Sequence, residues 1–318
     1  MQKNMTLEVI KYESHYKPIW DEFIKHSKNG VFLFLRGYMD YHSDRFTDHS
    51  LMFLKNDLLI AAMPANMNDD MLVSHSGLTF GGVISDNKMK ISPMLEVFEA
   101  IITYMQKCMF KKLIYKVIPH IYHSIPSEED LYALFVNEAR LCRRDFSTTI
   151  RMKDKLKFAK GRKHSIKKAQ KMDLEVIESK DFEAFMDIEK LVLKKNYNTK
   201  PVHSADEIKL LAKRFPKNIK LFGAYKKATM LAGTIIYESK NVAHAQYIAS
   251  TDEGKEIGAS DIIFDYLIQK YYTDKRYFDF GISTEKDGKY LNTNLTLNKE
   301  TFGGRGIVYD WYEINLGK

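Results

Sequence analysis

Residues 247–268 read YIASTDEGKEIGASDIIFDYLI, and the order of features in them decides how the chain is read. An apolar strand ends at Ala249-Ser250. A polar loop follows with Gly254 and Gly258 at its bends. A helix then opens near Ala259-Ser260-Asp261, with Ile262, Ile263, Tyr266, Leu267 and Tyr271 on its inner side. A loop of this kind aims several backbone N–H groups at one point beside a helix N-terminus, which suits an anion such as a pyrophosphate. The same pattern also serves an ordinary strand–helix turn, so the spacing alone leaves both readings open.

Working outward, Ile219–Ser250 (IKLFGAYKKATMLAGTIIYESKNVAHAQYIAS) holds three apolar runs parted by Lys226-Lys227-Ala228 and by 238–241. That pattern predicts a meander. YFDFGIS (277–283) and IVYDWYEINL (307–316) read as further strands, and LEVIES (174–179) as another. Helices are expected over 181–195 and over 204–214, the second capped by Ser204. The other half of the chain has the same ingredients. A helix is predicted over 17–29, and a hairpin turning at Lys55-Asn56-Asp57. MLVSHSGLTFGGVI (71–84) reads as a strand broken by glycines. A helix over 91–109, a strand over 113–119, a helix over 128–138 and a strand over 146–152 complete it. The two halves read as variations on one plan of mixed α/β order, which raises an internal duplication as a topological expectation. The boundary is placed at the start of a charge run, giving domains 1–155 and 156–318.

The chain has 318 residues and a formal charge of +8. Lys153–Met172 concentrates that charge, with Asp154 its single acidic residue. Ile166, Ala169 and Leu174 mark an apolar side there, and Arg162, Lys163, Lys167, Lys168 and Lys171 cover the rest. A solvated lysine face and contact with a polyanion (a nucleotide-sugar diphosphate, coenzyme A, RNA, an anionic membrane face) both account for it. No signal-peptide core or transmembrane-length apolar run is present, so a soluble cytoplasmic protein is expected. Cys108 and Cys142 alone make no disulfide framework. His120 and His123 lack a third ligand, so no metal is expected. Oligomeric state leaves no mark in the sequence.

Four segments in order carry a family resemblance: GRKHSIKKAQKMDLEV (161–176), LAGTIIYESKNVAHAQYIAS (231–250), IGASDIIFDYLI (257–268), and FDFGIS followed by LNKETFGG (297–304). Together they resemble the GNAT acyltransferase superfamily, in its FemABX-like branch that joins two GNAT-like domains in one chain. The first half fits by layout and by SHSGLTFGG (74–82). The resemblance implies two mixed, mostly antiparallel sheets, each flanked by helices. It implies an N-acyltransferase that moves an acyl group from acyl-CoA, expected as acetyl-CoA, to an amine of a sugar or cell-envelope precursor. The donor side falls in the second domain and the acceptor side in the first. The alternatives are an aminoacyl-tRNA donor with a peptidoglycan-type acceptor, or a non-catalytic binding protein with a decayed site.

Under this resemblance two strands splay around the acyl group. His244 and Asp279 are the candidate general bases, and His244 and Gln246, two apart on one strand, are expected to share a face. Tyr247, Ile248 and Ala249 supply backbone N–H groups to the donor, with Gly254, Gly258, Ala259 and Ser260 around its phosphates. Gln246, Ser283 and Lys299 are expected near the substrate, with Arg36 and His75 as acceptor contacts. The chain departs from the family loop at Asp252, Glu253 and Glu256, where acid faces an expected diphosphate. No cysteine is placed to argue for a covalent intermediate.

Overall fold

The alternating apolar residues of 219–250 do form a meander. A computed structural model describes residues 7–316 and divides them into two units. The second unit holds Phe146–Glu285 and Tyr290–Ile307. Its sheet runs Glu175–Ser179, Ile219–Lys226, Thr229–Glu238, Val242–Ser250, Tyr277–Ile282, and then the end of strand Arg140–Arg151. Every neighbouring pair is antiparallel except Val242–Ser250 with Tyr277–Ile282, which is parallel. One face of the sheet carries an aromatic-rich core in which Ala243, Ala245 and Phe278 pack with Ile263, Phe264 and Phe302. The helix on that face runs Ala259–Tyr266, opening where the sequence places it, and continues as a π turn over Leu267–Tyr271. Gly258 sets the start, because its φ of +78° reverses the chain in a conformation that favours glycine.

The other face receives helix Phe182–Tyr197. Asp181 caps it by accepting the Ala184 N–H, and Asn198 ends it in the left-handed region. Its anchor is Phe185, fully buried against Gly233. A Cβ on Gly233 would lie 2.5 Å from the Phe185 ring, so this strand needs a residue without a side chain there. Helix Ala205–Arg214 is closed by the predicted Ser204 cap, with Glu207 completing a capping box. In the basic helix, Lys160–Ala169, the buried residues are Ile166 and Ala169, as its pattern predicts.

The first unit holds the described residues up to Asp145, Lys286–Lys289, and the C-terminal stretch from Val308. The chain passes between units inside strand Arg140–Arg151, enters the first unit again over Lys286–Lys289, and returns to it at Val308. Leu7–Lys11, Leu51–Lys55, Leu58–Met63 and Ile84–Ser85 form an antiparallel four-stranded sheet. Its hairpin turns at Asn56 and Asp57, both at positive φ. Helix Ile91–Lys107 buries Met94, Val97, Phe98, Ile101 and Met105. Met71–Val73 pairs in parallel with Lys112–Lys116. The predicted glycine-broken strand over 71–84 is therefore short. After Val73 the segment 74–83 is loop, because Ser74 and Gly81 bond back to the strand edge at Ile114 and Lys116.

Each unit thus contains one parallel pair of three rungs. In the first it ends on Val73/Ile114, and in the second on His244/Asp279. This correspondence agrees with two copies of one plan.

Gly233→Ala is expected to lower stability by about 1–3 kcal/mol, since the Phe185 ring has to move away. Denaturant titration of the full chain measures it; an unchanged midpoint would show that the helix does not need this close approach.

Candidate active site

The last parallel rung of the second unit places His244 and Asp279 side by side. Asp279 is fully buried and accepts three hydrogen bonds: from His244 Nδ1 at 2.7 Å, Ser147 Oγ at 2.6 Å and Thr149 Oγ1 at 2.7 Å. Burial opposes its ionisation, but those donors outweigh burial and bring its carboxyl down to about 2. Asp279 is therefore a carboxylate at neutral pH and can only accept. In the neutral imidazole that places the proton on Nδ1 and leaves Nε2 as the acceptor. The next strand carries Gly281 at φ +76°, where a Cβ would lie 3.3 Å from His244 Cε1. Glycine there keeps the imidazole edge uncovered.

Beyond this rung the two strands part. The pairing of Tyr277–Ile282 with its other neighbour slips between Asp279 and Ile282. Val242–Ser250 has a bulge at Gln246, where Ala245 pairs with Ile236 and Tyr247 with Ile235. The bulge breaks the alternation, so the expected shared face of His244 and Gln246 does not follow. Residues 245–250 then have no strand partner on the side toward Tyr277–Ile282. Ile248, Ala249 and Ser250 line a cleft of about 420 Å³ beside this open edge. Phe264, Phe280 and Phe302 give it an apolar wall.

The structure brings most of the expected donor-side residues together. Ile248, Ala249, Gly254, Gly258, Ser260 and Lys299 all line this cleft. Tyr247 and Ala259 do not: the Tyr247 hydroxyl meets His203, its carbonyl accepts from Thr234 Oγ1 at 2.9 Å, and Ala259 is fully buried. The loop after Ser250 is also not an open cradle. Asp252–Ile257 forms a short helix whose Gly254 N–H is taken by the Thr251 hydroxyl at 3.0 Å. The start of helix Ala259–Tyr266 and the side chains of Lys255 and Arg162 stand in the cleft wall. Arg162, from the basic helix, is held there by Asp261, by Thr301 Oγ1 at 3.0 Å and by stacking 4.2 Å over Phe302. The acidic residues of the loop lie elsewhere: Asp252 pairs with Lys195 at 2.8 Å and Glu253 with Lys226 at 3.0 Å, and neither lines the cleft.

Lys299 is buried, and its Nζ donates to Gly281 O at 2.8 Å, Ile282 O at 2.9 Å and Ser283 Oγ at 2.9 Å. All three N–H positions are thereby used, so Lys299 and Ser283 hold the strand end where it leaves its partner. Burial takes the Lys299 amine down to about 8, against the opposing pull of Asp279.

Arg36 and His75 line a cleft of about 450 Å³ in the first unit. Arg36 is buried, pairs with Asp40 and Asp48, and lies 3.8 Å over the Tyr12 ring. Its charge is answered within that unit. His75 stacks on His42 at 5.3 Å, and burial lowers its pKa to about 3, so it is neutral.

The sequence reading passes over Glu189. It is 7% exposed on helix Phe182–Tyr197, and no hydrogen bond or ion pair is found for it among the described residues. Burial alone raises its carboxyl to about 7. Its one signal in the sequence is a carboxylate at an inward position of an amphipathic helix. Among the described residues there is no cluster of metal-ligating side chains, and no helix is long and apolar enough to cross a membrane.

Known proteins give this geometry its context. Residues 157–290 match the GNAT acetyltransferase domain, so the chain carries an acyltransferase domain of that type. Over the whole chain the fold is that of tandem GNAT proteins. FemX superposes with a TM-score of 0.68 at 9% identity, covering 97% of both chains. L-PGS from Bacillus licheniformis gives 0.62 at 10%, covering 97% of this chain and 93% of that one. A tandem GNAT protein of the clavulanic acid pathway gives 0.52 at 8%, covering 98% and 99%. The sequence matches no curated protein.

Glu189 makes stability depend on pH. Its folded-state carboxyl titrates above the ordinary value of 4.5, at about 7. The native state then holds the proton longer than the unfolded chain, and stability falls as pH rises through this window. Glu189→Gln should remove that loss and be more stable than the parent at pH 8 by on the order of 3 kcal/mol, with no gain below pH 4.5. Denaturation midpoints across pH 4–8 measure it; a constant difference would contradict the raised carboxyl.

Proposed function

We propose that this protein is an N-acyltransferase which moves an acyl group from acyl-CoA, in the first place acetyl-CoA, to a primary amine of a sugar or cell-envelope precursor. The observation that carries it is the parting of two parallel strands directly after a buried His–Asp pair, beside a cleft large enough for a thioester arm. The donor's acyl group lies along the open edge of 245–250, where the Ile248 N–H, pointing away from strand Thr229–Glu238, polarises its carbonyl. Its phosphates meet the start of helix Ala259–Tyr266, with Lys255 and Arg162 in the wall. The amine nitrogen attacks the carbonyl carbon and a C–N bond forms. His244 Nε2 accepts a proton from that nitrogen. As the C–S bond breaks, His244 returns the proton to sulfur and free thiol leaves. Asp279 holds the imidazole in the tautomer this needs and balances its transient charge. The acceptor class rests on the resemblance of the four ordered segments. The reaction belongs in the cytoplasm, where acyl-CoA is supplied.

An aminoacyl-tRNA donor has one observation in its favour. Lys155, Lys157, Lys163 and Lys167 line a second cleft of about 410 Å³ in the same unit, a charge pattern that suits a phosphodiester backbone. Salt-dependent tRNA affinity, with no acyl-CoA binding, would move the assignment there.

Thiol release from acetyl-CoA with a panel of amino-sugar nucleotides tests the leading reading. Turnover is expected, and His244→Ala should lower kcat by about 10²–10⁴-fold. Asp279→Asn should be similarly impaired, because it removes the fixed acceptor for Nδ1–H. Absence of turnover with any acyl-CoA, together with no heat of binding in calorimetry, would contradict it.

A further inference from the structure

The geometry points to a second proton-accepting group beside the split: we infer that Glu189 receives the acceptor amine, binding the incoming ammonium and taking the first of the two protons its nitrogen must lose. This rests on the amine-acylation reading above and adds to it the residue that recognises the amine.

Phe185, Glu189, Val192 and Asn196 follow one another at spacings of four, three and four, so they form one stripe of helix Phe182–Tyr197. Both ends of the stripe are located. Phe185 packs on Gly233, and Gly233 pairs with Ala249. Val192 and Asn196 line the 420 Å³ cleft. Glu189 lies between them, over strand Val242–Ser250 and next to the cleft.

Side chains that pair across a sheet point to the same face. Gly233 faces the helix, so Ala249 does also, and by alternation so does the Ile235–Tyr247 pair. Tyr237, two residues further on, pairs with His244. His244 therefore presents its imidazole on the face that carries Glu189, while Ala243 and Ala245 point into the opposite core. The titratable groups on this face include His244, Asp279, Tyr225, Tyr237 and Tyr247 from the strands, and His203 from the turn before helix Ala205–Arg214. Lys209 of that helix is engaged with Glu183 at the exposed surface.

Two acceptors here are left over. Glu189, 7% exposed, makes no hydrogen bond or ion pair among the described residues, and Gln246 Oε1, in the bulge of the strand, is fully buried without a partner. Glutamates this little exposed are almost always paired, so one without a protein partner beside a cleft suits a partner that arrives with the ligand. An ammonium supplies three N–H donors and a positive charge. Its chemistry also calls for two proton acceptors. The nitrogen enters as –NH3+, must lose one proton before its lone pair can attack, and loses a second as the amide forms. His244 takes the second proton and passes it to the departing sulfur. Glu189 takes the first and releases it to solvent when product leaves. The carboxyl's rise to about 7 on burial suits that exchange at neutral pH.

The experiment has two arms on the full chain. In the first, glutamate side-chain carboxyls are titrated by carbon-13 NMR, with Glu189 assigned by loss of its signal in Glu189→Gln. Glucosamine and UDP-linked amino sugars are the probes, and N-acetylglucosamine is the blocked control. The free amines should lower the apparent Glu189 pKa by about one unit or more, a tenfold preference for the carboxylate form, and the blocked sugar should not. In the second, thiol release is followed from pH 6 to 10. Glu189→Gln should lose about 100-fold in kcat/KM at pH 7 and recover toward the parent above the amine's own pKa, where the first proton is already gone. A Glu189 signal that no amine moves, or a Glu189→Gln profile parallel to the parent at every pH, would overturn the inference. No thiol release from the parent, with the amine-linked shift intact, would instead count against the acyl-CoA reading and leave Glu189 as the amine's ligand.

Discussion

The hydrogen bond from His244 Nδ1 to Asp279 is where the second unit's sheet stops being a sheet. Up to that rung, Val242–Ser250 and Tyr277–Ile282 are held in register by backbone pairing. Past it the strands separate, and the edge they expose can be satisfied only by something that enters the gap. A buried aspartate is tolerated at this point because Ser147 and Thr149, from the strand on its other side, also donate to it. The outgoing strand end is held in turn by the three hydrogen bonds of Lys299. Remove the dyad and its supporting hydroxyls, and nothing fixes where the split begins or which nitrogen of His244 is free.

The first unit shows what the same plan does without that dyad. Its parallel pair ends on Val73 and Ile114, which are apolar, and the chain's own segment then takes up the edge: Ser74 Oγ accepts from Lys116 N at 2.7 Å, and Gly81 N donates to Lys116 O at 3.0 Å. Gly81 permits this, since a Cβ there would lie 2.0 Å from the Ser74 carbonyl oxygen. A buried lysine again holds the turn, with Lys116 Nζ donating to the carbonyls of His75 and Leu78. One copy of the plan keeps its edge open directly after a His–Asp pair, and the other closes its edge with its own backbone.

Much of this was legible in the sequence, for definite reasons. Helix and strand positions followed from periodicity and from strong local signals such as the Ser204 capping box and the Asn56-Asp57 turn. His244 and Asp279 could be singled out because each stands at a chemically informative place on a strand. Their direct contact could not be read, since it depends on the register between strands far apart in sequence. The short helix within the loop could not be read from its glycine spacing: Thr251 takes the Gly254 N–H and winds TDEGKE into a helix, turning its acids toward Lys195 and Lys226. The bulge at Gln246 leaves no mark in composition. Glu189 is hidden for the opposite reason, because one of three acidic residues on a helix that also carries three lysines looks solvated until the sheet beneath it is in place.

The most direct measurement is a crystal structure of the full chain with coenzyme A. The account predicts the cofactor arm in the gap between Val242–Ser250 and Tyr277–Ile282, with amide groups paired to the open edge of 245–250 and its sulfur within about 4 Å of His244 Nε2, close enough for proton transfer through contact or one water. Coenzyme A bound away from that gap, or no bound coenzyme A at saturating concentration while the gap stays open, would contradict it.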